Sequence, residues 1–200
     1  MSQFPIVLAI TGASGLVYGQ RLLQVLLESQ LEVHLTISDS ARVVAEHELN
    51  LTLDLQKFEI DQLLPGHVSG GKLTYHHYKD FMTPIASGSF KTRGMIVCPC
   101  SGGTMSGIAT AASRNLIQRA ADVHLKENRR LVLVPREAPL SLIQIDNMRT
   151  ACAAGATILP ASPGFYQETG AVSDLVDFVV ARILDQFDIE HNLVGRWGVE

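Results

Sequence analysis

Three short, unbroken apolar runs constrain this chain more than any other feature. They are Ile6-Val7-Leu8-Ala9-Ile10, Gly94-Met95-Ile96-Val97-Cys98 and Leu131-Val132-Leu133-Val134. Each is too short for a helix and lacks the alternation of a sheet with one wet face, so each reads as a strand buried on both sides, as in a parallel sheet. Between them lie segments with helical spacing. Leu22, Leu23, Leu26 and Leu27 stripe a helix over about 15–29, and Leu116 to Asn128 reads as another. Val172, Leu175, Val176, Val179, Val180, Ile183, Leu184 and Phe187 continue that spacing near the C-terminus. Strands alternating with helices define an α/β fold, here a three-layer, Rossmann-like (flavodoxin-like) sandwich in a single domain spanning 1–200.

The rest of the chain fits this frame. Leu31 to Ile37 is a second strand, followed by Ser38-Asp39-Ser40 as N-cap of a helix to about Leu49. Ala156 to Leu159 is the last strand, and Pro139 suits the first turn of the helix before it. Between 50 and 93 the pattern is weak: a short helix over Asp54 to Leu64, a strand over Thr74 to Tyr78, and a loop over Pro84 to Ser89.

Charged residues make up only 18% of the 200 residues, below the ~25% usual for soluble chains. That suits a domain that buries extra surface between subunits. A net charge of −4 gives no basic excess for nucleic acid. No apolar run approaches the ~20 residues that span a bilayer, and the N-terminus lacks a signal-peptide layout. Three cysteines are too few for a disulfide framework, so a cytoplasmic protein without membrane contact is expected.

In open α/β sheets, ligands bind beyond the carboxyl ends of the strands. There this sequence places Thr11-Gly12-Ala13-Ser14-Gly15, Ser38, Cys100-Ser101-Gly102-Gly103-Thr104, Pro135-Arg136-Glu137 and Pro160 to Tyr166. The first and third are glycine-containing turns that open helices, which suits them to anions or carbonyls. Neither the dinucleotide fingerprint nor the P-loop is present. Ser38 stands where an NAD enzyme often has an acid. Two such turns suit a flavin mononucleotide, one for the phosphate and one for the ring edge. Arg119 and Lys126 share a helix face, with Asp122 and Glu127 as ordinary partners, and Arg182 has Asp185 three residues on. The histidines read as core or solvated residues, and no acidic cluster is built for magnesium.

At these residues the chain resembles the UbiX-type flavin prenyltransferases. The likeness runs through Thr11 to Gly15 with Tyr18-Gly19, Glu48, Ala86 to Phe90, Pro99-Cys100-Ser101, Arg119 to Val123, Leu125-Lys126-Glu127, Leu131 to Glu137, Pro163 to Tyr166, Val180-Ala181-Arg182 and Arg196-Trp197. It implies transfer of a dimethylallyl group from dimethylallyl monophosphate to N5 and C6 of reduced FMN, without metal. The product, prenylated FMN, would serve a UbiD-type decarboxylase, including one in ubiquinone biosynthesis. By position, Gly12, Ala13, Ser14, Ser38, Ser101, Gly102, Gly103, Thr104 and Arg136 would hold FMN. Ser87, Arg119, Lys126, Tyr166, Arg182 and Trp197 would surround the prenyl phosphate. Ser14, Glu48, Lys126 and Glu137 would carry the chemistry.

The family assembles as dodecamers, so the segment from about 188 to 200, with Glu48 and Arg182, would complete a neighbouring subunit's site. The resemblance thus implies flavin and prenyl ester side by side along one rim, with cations drawing off the phosphate. Two other readings stand beside it. One is an FMN-dependent decarboxylase, disfavoured because Pro99-Cys100-Ser101-Gly102 lacks the Met-Asn of that group. The other is a noncatalytic flavin carrier.

Overall fold

The computed structural model describes residues 4–66, 70–165 and 170–195. Strands β1 (Ile6–Ile10), β2 (Glu32–Ile37), β3 (Lys72–Tyr75), β4 (Gly94–Cys100), β5 (Leu131–Pro135) and β6 (Thr157–Ile158) form one sheet in the order β3-β2-β1-β4-β5-β6. All of its pairings are parallel. The unbroken apolar runs are the central strands: every residue of β1, β4 and β5 is buried. The sheet is the one the sequence implies, and its order reverses between β1 and β4.

Successive side chains of a strand point to opposite faces, so each strand feeds two cores. Ile6, Leu8 and Ile10 join α1 (Leu16–Glu28), α2 (Asp39–Leu49) and α6 (Val172–Asp185). Val7 and Ala9 join α3 (Gly102–Ala109), α4 (Leu116–Lys126) and α5 (Leu142–Ala153). In α1, Leu22, Leu23 and Leu26 are fully buried, each contributing roughly 1.5–3 kcal/mol. Gly19 lets that helix press close to β4, since a Cβ there would stand 2.4 Å from the Cys98 carbonyl oxygen.

Several expectations are corrected. The strand expected over 74–78 is Lys72–Tyr75, an edge strand. The helix expected over 54–64 is a single 3-10 turn, Ile60–Gln62. Pro139 lies outside α5, because Ser141 caps that helix and exchanges hydrogen bonds with Gln144 in a capping box. On α5 only Ala151 is buried, while Leu142, Ile143 and Ile145 face outward. No helix among the described residues is long and apolar enough to cross a membrane.

Candidate active site

The strand order reverses between β1 and β4, so the turns after these strands flank the crevice where open α/β sheets bind ligands. Thr11, fully buried, ties the two turns together. Its hydroxyl donates to the Pro99 carbonyl (2.8 Å) and accepts from the Ser101 backbone N–H (2.8 Å). Ser101 caps α3: its hydroxyl accepts from the Thr104 N–H (3.3 Å) and donates to the Thr104 hydroxyl (3.0 Å). A methyl group on Gly103 would meet nothing within 4 Å, so the backbone there is open to an approaching ligand. At the neighbouring strand end Ser38 caps α2, accepting from the Ala41 N–H at 3.1 Å, and its hydroxyl lies 3.0 Å from that of Ser40.

The first turn already holds an anion. Glu48, from the last turn of α2, accepts from the N–H groups of Gly15 (2.9 Å) and Leu16 (3.1 Å) at the start of α1. This uses the positive end of the helix as a phosphate would. Partial burial works to raise the Glu48 pKa. Hydrogen bonds from Ser14, Gly15 and Leu16 and the charge of Arg136 outweigh it, holding the carboxyl below its ordinary value. Arg136, at the end of β5, donates from Nε to the Ser14 carbonyl (3.0 Å), fixing a cation over the same turn. Gly15 and Leu16 are therefore occupied, leaving the start of α3, with open space at Gly103, as the helix N-terminus on this rim for a second anion. Burial pushes the Cys100 thiol up to about 12, so the cysteine in the turn is no nucleophile.

Arg119 and Lys126, expected beside the rim, gather elsewhere. Lys126 ends α4, next to the start of β5, where Leu131 pairs with Met95. Ser101 and Arg136 follow the other ends of β4 and β5. Six residue steps of β4 separate these ends, roughly 20 Å at strand rise. At the far end the loop Ser87-Gly88-Ser89 lies against Lys126: a Cβ on Gly88 would stand 2.9 Å from Lys126 Nζ and 2.4 Å from Glu127 Oε1. The hydroxyls of Ser87 and Ser89 are 2.9 Å apart.

Arg119 donates from Nε to the Ala86 carbonyl (3.1 Å) and pairs with Asp122 (2.9 Å). Lys126 pairs with Glu127. Arg182 is not part of this corner: it lies on α6, which packs on the other face of the sheet from α4, and pairs with Asp185 (2.7 Å). One chain thus shows an anion-accepting rim and a separate basic corner, not the single rim expected. Each cation sits in its ordinary partner's reach. Tyr166 and Trp197 lie outside the described residues.

Sequence reasoning placed Thr11 and Ser40 after their strands without giving them a role on the rim, and missed Gln144. Gln144 Nε2 would lie 3.5 Å from a Cβ on Gly102, with Glu137 Oε2 at 4.0 Å, so both side chains face the Ser101 turn. The Ser-x-x-Gln pattern at 141–144 was the available signal for Gln144.

Strand order, crevice and paired anion-accepting turns define a nucleotide-binding α/β protein of the Rossmann kind, the order 3-2-1-4-5-6 rather than the flavodoxin order 2-1-3-4-5. Residues 1–184 match the Flavoprotein family model, and the chain belongs to that family. Within it, the chain belongs with the flavin prenyltransferases. A protein of Halalkalibacterium halodurans named flavin prenyltransferase UbiX is 51% identical over 191 residues, covering 96% of this chain and 92% of the relative. The crystal structure of AnUbiX in complex with FMN and dimethylallyl pyrophosphate superposes with a TM-score of 0.87 at 38% identity, covering 100% of both chains. A dodecameric FMN-dependent UbiX-like decarboxylase from Escherichia coli O157:H7 gives a TM-score of 0.83 at 40% identity, covering 98% of this chain and 100% of that one.

Proposed function

We propose that this chain transfers a dimethylallyl group from dimethylallyl monophosphate to reduced FMN, bonding at N5 and C6 without metal, for a UbiD-type decarboxylase. The observation that carries the reading is the pairing of an open, anion-accepting rim at the strand-order reversal with a compact basic corner at Ser87, Arg119 and Lys126. FMN fits the rim. Ser38, Ser40 and the Ser101–Thr104 turn offer hydroxyl and backbone donors. Gly103 leaves open the space a side chain would fill, and Arg136 supplies a fixed charge. Bound there, FMN supplies the nucleophilic ring atoms.

In the transfer the allylic C–O bond breaks, and phosphate leaves with its electron pair. N5 would take the allylic carbon and give up its proton to the departing phosphate; protonation of the remaining double bond would then leave a tertiary cation for C6 to attack, with loss of the C6 proton as the ring closes. Lys126, Arg119 and Arg182 hold the departing phosphate through charge-assisted hydrogen bonds. Glu137 and Glu48 stand at the rim as proton acceptors, alongside the phosphate itself.

Rim and corner lie at opposite ends of the sheet, so the complete site forms between copies, the corner of one chain meeting the rim of another. The exposed Leu142, Ile143 and Ile145 of α5 supply apolar surface for such contacts. The dodecameric neighbour offers an assembly of that kind. Within the C-terminal segment, Ile189 and Leu193 pack on the core of their own chain.

The test is mass spectrometry of flavin extracted after reduced, FMN-loaded protein meets dimethylallyl monophosphate, with and without chelator. The reading expects a prenylated flavin in both arms. It also expects Lys126→Ala to keep FMN but to form the product at least tenfold more slowly, the order of one lost charge-assisted contact. Unmodified flavin would support the carrier reading, and CO₂ release from a carboxylic acid the decarboxylase reading.

A further inference from the structure

The loop that carries Ser87 is splinted from one side by α4 and the turn that ends it. Asn128 adopts a left-handed conformation (φ 52°) just past the helix. Its N–H donates to the Leu125 carbonyl (3.1 Å), and the Arg129 N–H donates to that of His124 (2.8 Å), the pair of bonds that closes a Schellman turn. This turn aims Arg129 back across the loop. Its guanidinium, only 16% exposed, donates to the Phe90 carbonyl from Nη1 (2.6 Å) and to the Gly88 carbonyl from Nη2.

Arg119 Nε holds the Ala86 carbonyl, and His124 Nε2 accepts from the Thr92 hydroxyl (2.7 Å) while its Nδ1 donates to the Ala120 carbonyl. Three carbonyls in alternation, at 86, 88 and 90, are thus pinned by two guanidinium groups. The Phe90 ring leans on His34 from the opposite side, centroid to centroid 5.0 Å. Gly88 is the residue that touches Lys126, so whatever fixes Gly88 fixes the space in which the Lys126 ammonium meets a phosphate.

We infer that Arg129 is a positioning residue for prenyl-phosphate binding: its two-pronged grip on Gly88 and Phe90 sets Ser87 and Gly88 against Lys126. The inference rests on the prenyl-transfer reading for the identity of the ligand, but not for the grip itself. A planar fork is required, because a lysine ammonium is a point charge that cannot present two parallel donors to carbonyls two residues apart.

The test uses FMN-loaded Arg129→Ala and Arg129→Lys, the latter guarding against a folding failure. Two readouts are taken: amide hydrogen exchange of 84–92, and steady-state kinetics with dimethylallyl monophosphate. The expected result for Arg129→Ala is faster exchange in that segment. With it comes a KM raised about tenfold or more, the scale of a lost charged hydrogen bond, with kcat and FMN affinity within about twofold. Millimolar guanidinium should restore much of the lost KM in Arg129→Ala, and Arg129→Lys should remain closer to Ala than to wild type.

Unchanged exchange in both variants overturns the inference. So does faster exchange with an unchanged KM, or a fall in kcat and FMN affinity together without guanidinium rescue. A wild-type protein that forms no prenylated flavin refutes the prenyl-transfer reading, and exchange alone then decides whether Arg129 braces the loop.

Discussion

Replacing Glu48 with glutamine removes one charge from a seat already assembled in the free chain. The carboxylate lies on the N–H groups of Gly15 and Leu16, at the positive end of α1, with Arg136 close by. A carboxylate at a helix N-terminus contributes about 0.3–1 kcal/mol when exposed and up to about 2 when partly buried. The amide of Glu48→Gln keeps an oxygen to accept one N–H but presents an NH₂ group to the other, and the side chain is exposed, so we expect a loss of roughly 0.3–1 kcal/mol. For a chain of this size, that lowers Tm by roughly 1–4 °C.

The sign of the pH dependence follows from the direction of the shift. A carboxyl whose folded pKa is depressed contributes stability above its unfolded value and loses it as pH falls through the folded one. The Tm gap between wild type and Glu48→Gln should therefore be widest near neutrality and narrow below about pH 4.3, the unperturbed glutamate value. Calorimetry at fixed protein concentration measures it, because assembly makes Tm concentration-dependent. Equal Tm values at neutral pH, or a gap that persists unchanged into acid, would refute the idea that Glu48 sits as an anion on α1.

Two further expectations concern the scaffold. Gly19→Ala places a methyl 2.4 Å from a backbone carbonyl of β4. Overpacking of ~1–3 kcal/mol outweighs a helix-propensity gain of at most ~1 kcal/mol; a Tm at or above wild type would contradict the close helix–sheet contact. Burial pushes His76 and His124 down to about 4 from an ordinary 6.5. The unfolded chain therefore binds protons that the folded one refuses, and stability, complete above 6.5, should fall as pH drops from 6.5 to 4. A Tm that stays flat across that window would refute the neutral, buried state of these rings. Both forms of a Glu48→Gln comparison carry this term, so it cancels in their difference.

The sheet was legible because strands buried on both faces carry a signal that surface chemistry does not dilute; β1, β4 and β5 stand out as apolar runs. Where burial is one-sided, that signal fades. Lys72 to Tyr75 lie on the edge, exposed or half-buried, and the strand was placed two to three residues too late. Pro139 was given to α5 from its own preference, but Ser141 and Gln144 satisfy the helix's first N–H groups two residues later, and the cap set the start. The turns of the rim were legible as turns, since each follows a strand. That Glu48 fills one of them was not, because it reaches the turn from 33 residues away. Nor could spacing alone show that α4 runs back along the sheet and carries Lys126 to the opposite end from Arg136.

That reversal bears directly on how the site works. A five-carbon ester cannot bridge roughly 20 Å of strand, so a chain using both the rim and the basic corner in one reaction must use corners and rims from different copies. The ion pairs in the isolated chain do not oppose this. Lys126 with Glu127 and Arg182 with Asp185 are surface pairs, with the cations 47% and 53% exposed, and such pairs contribute about 0–1 kcal/mol. A phosphate carrying more charge and more acceptor atoms than a carboxylate can displace them at little cost. The apolar residues of α5 follow the same logic: they are unfavourable on a monomer and become useful where copies meet. Under the proposed reaction, division of the site between two ends of the sheet and exposure of apolar surface would share one explanation, assembly of the site from copies of the chain.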